Sequence, residues 1–135
     1  MNTLITMSLC LPVPGLVKAR LDYDENVPYI VAVTFDLGPE SEPVVWELGR
    51  DLVRDGLIRP TGEGDVFISP GDGSRTVFLR LASEEGAAIL YAPRQALHDF
   101  LKRTAKVVPY GREENVPAVR ASLDRELRRI LHEAC

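Results

Sequence analysis

The stretch VVWELGRDLVRDGLIRPTGEGDVFIS, from Val44 to Ser69, decides the fold. Its first residues are apolar at every second position, which is typical of a strand with one buried face. A short helix is predicted over residues 50–55, because Gly56 can adopt the left-handed conformation that often ends helices. After a glycine-rich loop, another strand is predicted over 65–69. The stretch therefore predicts a strand, a short helix, a loop and a strand in close succession.

The rest of the chain supplies the other elements of an α+β fold. Alternating residues predict three further strands, over 5–11, 17–23 and 29–37. A segment that is largely apolar on both faces predicts another over 76–82, and Pro93, which disfavours helix at the residue before it, favours a strand over 87–92. Helical spacing of apolar residues predicts two longer helices, over 93–104 and 119–131, and Pro93 suits the first turn of the former. The predicted order is four strands, a short helix, three strands and two C-terminal helices. A chain of 135 residues is expected to form one domain, spanning residues 1–135.

Charge is distributed unevenly along the chain. The net charge is −4, but residues 1–92 carry a net charge of −7 and residues 93–135 a net charge of +3. Phosphate backbones are bound mainly by clustered lysines and arginines. The acidic strand-rich part therefore makes nucleic acid an unlikely main ligand.

Features that resemble known catalytic or ligand sites are incomplete in this chain. The loop Gly62–Gly64 precedes a strand instead of opening a helix, which argues against a phosphate site. Asp22, Asp24 and Asn26 begin like a calcium loop, but the later glycine and glutamate are missing. His98 and His132 lie on different predicted helices without ligands at zinc spacing. We expect no enzyme activity, no catalytic residue, no cofactor and no metal.

Three observations on the sequence predict the cellular compartment. The N-terminal residues lack the basic start and continuous apolar run of a signal peptide. No segment approaches the roughly 18 apolar residues of a membrane span. Cys10 and Cys135 are expected to be unpaired rather than bridged. The sequence therefore predicts a cytoplasmic protein with no membrane span.

The aromatic residues have two open interpretations. Trp46 is on the in-phase face of its strand and is predicted to lie in the core. Tyr23 and Tyr29 flank an acidic turn and are either half-exposed interface residues or ordinary tyrosines at the edge of the core.

Three blocks of sequence stand out: the opening stretch 44–69, LDYDENVPYIVAVTF at 21–35, and FLKRTAKVVPYGREE at 100–114. Together they resemble the SsgA-like family of actinobacterial sporulation and cell-division proteins. The resemblance extends over about residues 16–131, and most of the shared residues belong to turns, caps and core. Two departures are Val27, where the family usually has Asp, and Ser69, where Trp is common.

The resemblance implies a fold, a state of assembly and a role. It implies a whirly-like fold of two small antiparallel sheets packed with helices, assembled as a homotrimer. It implies a non-enzymatic regulator of sporulation-specific cell division that recruits the division protein FtsZ or promotes its assembly at the septum. The implied partners are FtsZ and other SsgA-like proteins. The alternative function is that of a whirly-like single-stranded nucleic-acid-binding protein, which would need a basic groove with stacking aromatics.

Partner binding requires an exposed apolar patch. The candidates for such a protein-binding patch are Tyr29, Leu57, Ile58 and Pro60, which lie on either side of the predicted short helix.

Overall fold

The strands form one antiparallel sheet in this computed structural model, which describes residues 1–134. The strands are β1 (Asn2–Leu11), β2 (Gly15–Asp22), β3 (Ile30–Asp36), β4 (Val44–Gly49), β5 (Thr61–Glu63), β6 (Val66–Pro70), β7 (Thr76–Ser83) and β8 (Gly86–Pro93). The helices are α1 (Arg50–Gly56), α2 (Arg94–Val107) and α3 (Pro117–Ala134), and short 3-10 helices cover Asp72–Ser74 and Glu113–Asn115.

The sheet consists of two meanders that meet in the middle. Its strand order is β4-β3-β2-β1-β8-β7-β6-β5, so each meander of four consecutive strands occupies one half. The first two strands form an antiparallel hairpin, with Ile5 opposite Ala19. The halves are joined by antiparallel pairing of β1 with β8, in which Ser8 lies opposite Tyr91. This pairing makes the eight strands continuous.

The predicted arrangement of two small sheets in a whirly-like plan is therefore wrong. The direct pairing of β1 with β8 leaves no boundary between two separate sheets. The predicted strand count is also wrong, because four strands rather than three follow α1. The additional strand is β5, whose Thr61 pairs with Ile68 of β6 and which includes part of the predicted glycine loop.

The sheet curls strongly around the core. Trp46 on β4 and Leu81 on β7 line the same groove, although five strand-to-strand steps separate these strands in the sheet. In a flat sheet the two strands would be about 24 Å apart, since neighbouring strands are spaced by about 4.8 Å. The curled sheet encloses Met7, Val33 and Ile68, and α1 and α2 cover it.

The two longer helices differ in how much of their surface is covered. The predicted apolar stripe of α2 is confirmed as buried, at Leu97, Phe100 and Leu101. α3 also forms as predicted, but residues 120–132 are all exposed, and its main packing is against the 3-10 helix that precedes it. The core is therefore closed by α2, and α3 projects from it.

The structure describes one of the two cysteines of the chain. Cys10 is exposed and free, and Cys135 lies outside the described residues.

Gly56 permits the closest contact between α1 and the sheet. A Cβ atom at this buried position would overlap the Cβ and Cγ2 atoms of Ile68, which is itself fully buried on β6. Only glycine therefore fits between α1 and β6 without a shift of one of them.

We expect Gly56→Ala to destabilise the fold by about 1 to 3 kcal/mol, the usual cost of overpacking a close-packed core. Urea unfolding followed by circular dichroism measures the change. Gly15→Ala is the matched control, because no atom lies within 4 Å of its added Cβ, and its effect should stay within about 0.5 kcal/mol. Equal stability of the two variants would contradict the packing described here.

Candidate protein-binding surface

The predicted binding residues lie at the two ends of α1. Tyr29 precedes β3 and is held at the N-terminal end, where its carbonyl accepts a hydrogen bond from the Arg50 backbone N–H at 2.8 Å. Ile58 and Pro60 follow the C-terminal end. The seven residues of α1 separate the two ends by about 10 Å.

Three of the four candidate side chains are exposed. Tyr29 is 46% exposed and Ile58 is 66% exposed, and Pro60 is exposed as well. Leu57 is only 5% exposed and packs in the core, so its side chain does not contribute to the surface. We call Tyr29, Ile58 and Pro60 the α1 surface.

Ion pairs occupy the outer face of α1 between these apolar ends. Arg54 lies 3.1 Å from the carboxylate of Asp55 and 3.6 Å from that of Asp51, and Arg59 lies 3.7 Å from Asp55. Arg54 and Asp55 are partly exposed, and pairs that water can reach contribute less to stability than buried ones. The outer face of α1, between the two ends of the α1 surface, is therefore polar and carries charges of both signs.

A buried arginine fixes the position of this surface from beneath. Arg50, the first residue of α1, is 0% exposed. Its guanidinium donates one hydrogen bond to the carbonyl oxygen of Val108 at 2.6 Å and another to Oε1 of Glu113 at 2.8 Å. Removing one member of such a buried pair leaves an uncompensated charge, which is strongly destabilising. α1 is thereby tied to the segment that links α2 and α3.

Two tyrosine rings complete the environment of Arg50. Its guanidinium lies 5.1 Å from the ring centre of Tyr23 and 4.2 Å from that of Tyr110, distances at which a cation is attracted to an aromatic face. Tyr23 is buried rather than half exposed, and its hydroxyl donates to the carbonyl oxygen of Pro28 at 2.9 Å. Burial raises the pKa of both tyrosines above the usual value of 10.0, so both are neutral at physiological pH. We call Tyr23, Arg50, Tyr110 and Glu113 the Arg50 cluster.

The protonation of Glu113 is set by its partner. Burial acts to raise the pKa of Glu113, but the hydrogen bond from Arg50 and backbone hydrogen bonds outweigh it and lower that pKa below its usual value. Glu113 is therefore ionised at neutral pH and forms a true ion pair with Arg50.

The charged groups of the Arg50 cluster bind each other, and the two histidines lie apart from it. The Arg50 cluster contains no nucleophile beside a base, and its guanidinium and carboxylate form an ion pair with each other. His98 is exposed with Asp99 at 3.7 Å, and His132 is exposed on α3. Across residues 1–134, no three His, Cys, Asp or Glu side chains are grouped as a metal site would need.

Sequence reasoning did not find the Arg50 cluster. Arg50 and Glu113 are separated by 63 positions, and neither pattern nor spacing links two residues so far apart. A charged residue at the start of a short helix is ordinarily exposed. One feature of the sequence could have indicated the cluster. Tyr23, Arg50 and Tyr110 lie one in each of the three family-like blocks, and they are aromatic or cationic residues.

Trp46 takes an intermediate position between the expected core and the surface. It packs against the core, but it remains partly exposed and lines the groove that it shares with Leu81.

A family model described as "Streptomyces sporulation and cell division protein, SsgA" matches residues 17–113. The chain belongs to the SsgA family. The predicted family resemblance is thereby confirmed, and a role in sporulation-associated cell division follows from it. The family is described by that process and not by an enzyme activity.

Full-length relatives support the same assignment. The sporulation-specific cell division protein SsgB of Streptomyces coelicolor is 43% identical, and the match covers 99% of this chain and 93% of that protein. SsgB of Thermobifida fusca is 42% identical over 86% of this chain and 83% of that protein.

Solved structures share the fold. One, described as "Mutations in SsgB correlate to longitudinal cell division during sporulation of Streptomyces coelicolor", superposes with a TM-score of 0.79 at 42% identity, covering 84% of this chain and 92% of that chain. The crystal structure of an SsgA-like sporulation-specific cell division protein from Thermobifida fusca has a TM-score of 0.81 at 36% identity, covering 93% and 94%. Within residues 1–134, no helix is long and apolar enough to cross a membrane.

We expect Arg50→Met to destabilise this family member by about 3 to 5 kcal/mol, because Glu113 and the Val108 carbonyl then lose their buried donor. Chemical denaturation measures the loss. Arg59→Met is the control, since the Arg59 side chain is 63% exposed and pairs only loosely with Asp55, at 3.7 Å, so its replacement should cost about 1 kcal/mol or less. Similar losses in both variants would contradict the role assigned to Arg50.

The lowered pKa of Glu113 makes part of the stability depend on pH. A carboxyl group with a lower pKa in the folded state adds stability that is fully present above its unfolded pKa of about 4.3 and is lost as pH falls through the folded pKa. The difference in unfolding free energy between the native chain and Glu113→Gln should therefore be largest near neutral pH and shrink below about pH 4.3. Denaturation at a series of pH values measures it.

The control for this pH series is the neighbouring Glu114, which is exposed. Glu114→Gln should differ little from the native chain throughout the series. A difference for Glu113→Gln that stays constant down to the acid limit would mean that the ion pair does not hold the carboxylate in its charged form.

Proposed function

We propose that this chain is a non-enzymatic adaptor that recruits FtsZ to division sites, or promotes its assembly there, during sporulation. The observation that carries the proposal is the match to SsgB over nearly the whole of both chains, together with family membership. Supporting it, the described residues present an exposed surface held by a buried frame.

The proposed contact is the α1 surface. Tyr29 offers an amphipathic ring, and Ile58 offers an apolar side chain that is largely exposed; both kinds of residue are favoured at protein interfaces. Leu57 supports the surface from within, since its burial fixes the chain on which Ile58 and Pro60 lie. The rigid frame lowers the entropy that binding must overcome.

Assembly as a homotrimer would multiply this contact. Three α1 surfaces on one particle can engage neighbouring subunits of a polymer, and each further contact is made at high effective concentration. We propose that the trimer, alone or with other SsgA-like proteins, acts at the septum in this way.

The adaptor proposal is tested with purified protein and FtsZ from the same organism, by sedimentation and light scattering in the presence of GTP. We expect the native chain to enhance or bundle polymers. Tyr29→Ala combined with Ile58→Asp should weaken binding by about tenfold or more, the loss typical of central interface residues.

Leu4→Asp is the matched control, because Leu4 is an exposed apolar residue on β1 and lies far from α1 in sequence. It should bind as the native chain does. A titration with a single-stranded oligonucleotide runs in parallel. Salt-sensitive oligonucleotide binding without any effect on FtsZ would refute the adaptor and favour the nucleic-acid alternative.

A further inference from the structure

The end strand β4 has an open edge. Within residues 1–134 it pairs only with β3, and that pairing runs from Val44 to Gly49 without a register shift. The strand at the other end of the sheet, β5, has only three residues. An exposed and regular edge is a template on which another chain can add a strand. β4 is therefore the edge of this sheet that is able to accept one.

The hydrogen-bond pattern shows which backbone groups of β4 are free. The Arg50 N–H bonds to the Tyr29 carbonyl at 2.8 Å, one step beyond the last pair of the ladder between β3 and β4. Hydrogen-bonded pairs alternate along an antiparallel ladder, so the even-numbered residues of β4 also point their backbone groups towards β3. The N–H and C=O groups of Val45 and Glu47 consequently point away from β3, at the open edge.

An apolar groove lies beside this edge. It has a volume of about 340 Å³, and every side chain that lines it is apolar. Val44 and Trp46 of β4 line it together with Leu37 and with Leu81 of β7, and Val44 and Leu37 are 41% and 49% exposed. Side chains alternate between the two faces of a strand. Every second residue of a strand added to β4 would therefore project on the same face as Val44 and Trp46, beside the groove.

The remaining residues of an added strand would lie on the opposite face, beside Val45 and Glu47. Both of these residues are exposed. The basic side chains nearby are Lys18, opposite Asp36 in the sheet, and Arg80 on β7. They are outnumbered by the acidic residues of the segments around the groove, which are Asp36, Glu40, Glu42, Glu84 and Glu85. A complementary strand therefore carries basic residues on this face.

We propose that β4 binds an extended segment of a partner protein as an additional antiparallel strand. The apolar side chains of that segment lie on the groove side, and its basic side chains lie on the side of Glu47. In this mode of binding, main-chain hydrogen bonds supply affinity and alternate side chains supply specificity. The contact is separate from the α1 surface and does not rest on FtsZ, so it can fail or hold independently of the adaptor proposal.

A fluorescent peptide of seven residues that alternates lysine with valine tests the contact, by fluorescence anisotropy with the full chain. The lysines lie opposite Val45 and Glu47 in the proposed register, so their backbone N–H groups bond to β4. Backbone N-methylation of the two central lysines removes these donors without a change of charge, and it should weaken binding by about tenfold or more. N-methylation of two valines is the matched control, because their N–H groups point to solvent, and the affinity should change by about twofold at most.

Variants of the chain test the same contact from the other side. Val45→Pro removes an outward N–H that β3 does not use, and proline is tolerated at such a position of an edge strand. Binding of the peptide should weaken by about tenfold, whereas Val45→Thr keeps the N–H and should bind as the native chain does. Leu37→Arg, at an exposed position of the groove, should also weaken binding, because it places a cation beside a basic segment. Thermal unfolding checks that each variant is folded.

The expected result is one peptide bound per chain, with binding that depends on the lysine N–H groups and not on the valine ones. Absence of saturable binding, or an equal loss on both kinds of methylation, would overturn the proposal. Equal binding of a peptide of the same composition with its valines consecutive would do so too, because the contact would then depend on charge alone. A native chain that does not bind the peptide, but whose sedimentation mass falls on Val45→Pro, would overturn it and assign the edge to a second copy.

Discussion

The position of α1 against the segment between α2 and α3 depends on one buried ion pair. Arg50 and Glu113 are both removed from water, and two opposite charges in a protein interior are tolerated only when they meet with good geometry. The pair joins the start of α1 to the segment after α2. The rings of Tyr23 and Tyr110 also lie beside Arg50, and Tyr23 directly follows β2, so the end of that strand is joined to the same cluster. Three distant parts of the chain must therefore assemble together.

The single sheet extends this cooperativity to the whole domain. Because β1 pairs with β2 on one side and with β8 on the other, the hydrogen bonding of the first strand of the domain is completed only by the eighth. Contacts between residues so far apart in sequence slow folding, since the chain loses loop entropy before it gains the contact. The curl then places both halves against α2, so neither meander has a core of its own.

Local elements were predictable from sequence to the extent that they are periodic. Alternation located the strands around Met7 and Val33, and helical spacing located α2 and α3. β5 was missed because three residues that include Gly62 carry no alternation. The two-sheet arrangement was wrong because alternation does not reveal which strand pairs with which. Leu57 was expected at the surface because a residue just past a helix end has no periodic signal to show the direction of its side chain.

The same limit applied to the Arg50 cluster. Arginine is rarely buried, so propensity argued for exposure, and no local rule connects it with a glutamate near the far end of the chain. The family-like blocks contain all the residues of the Arg50 cluster, but only the fold shows that these residues are in contact. Sequence reasoning was thus accurate for backbone conformation and weak for long-range polar pairing.

The burial pattern divides the chain at Glu113. Among the residues whose burial is described, Glu113 is the last buried one, and the family match also ends at residue 113. Folding stability thus constrains the chain up to this point and leaves α3 almost free of such constraint. Natural sequences can vary along α3 without loss of the domain, and any restriction observed there would reflect contacts with other molecules. A substitution on the exposed face of α3 is therefore expected to change contacts with other molecules more than the stability of the domain.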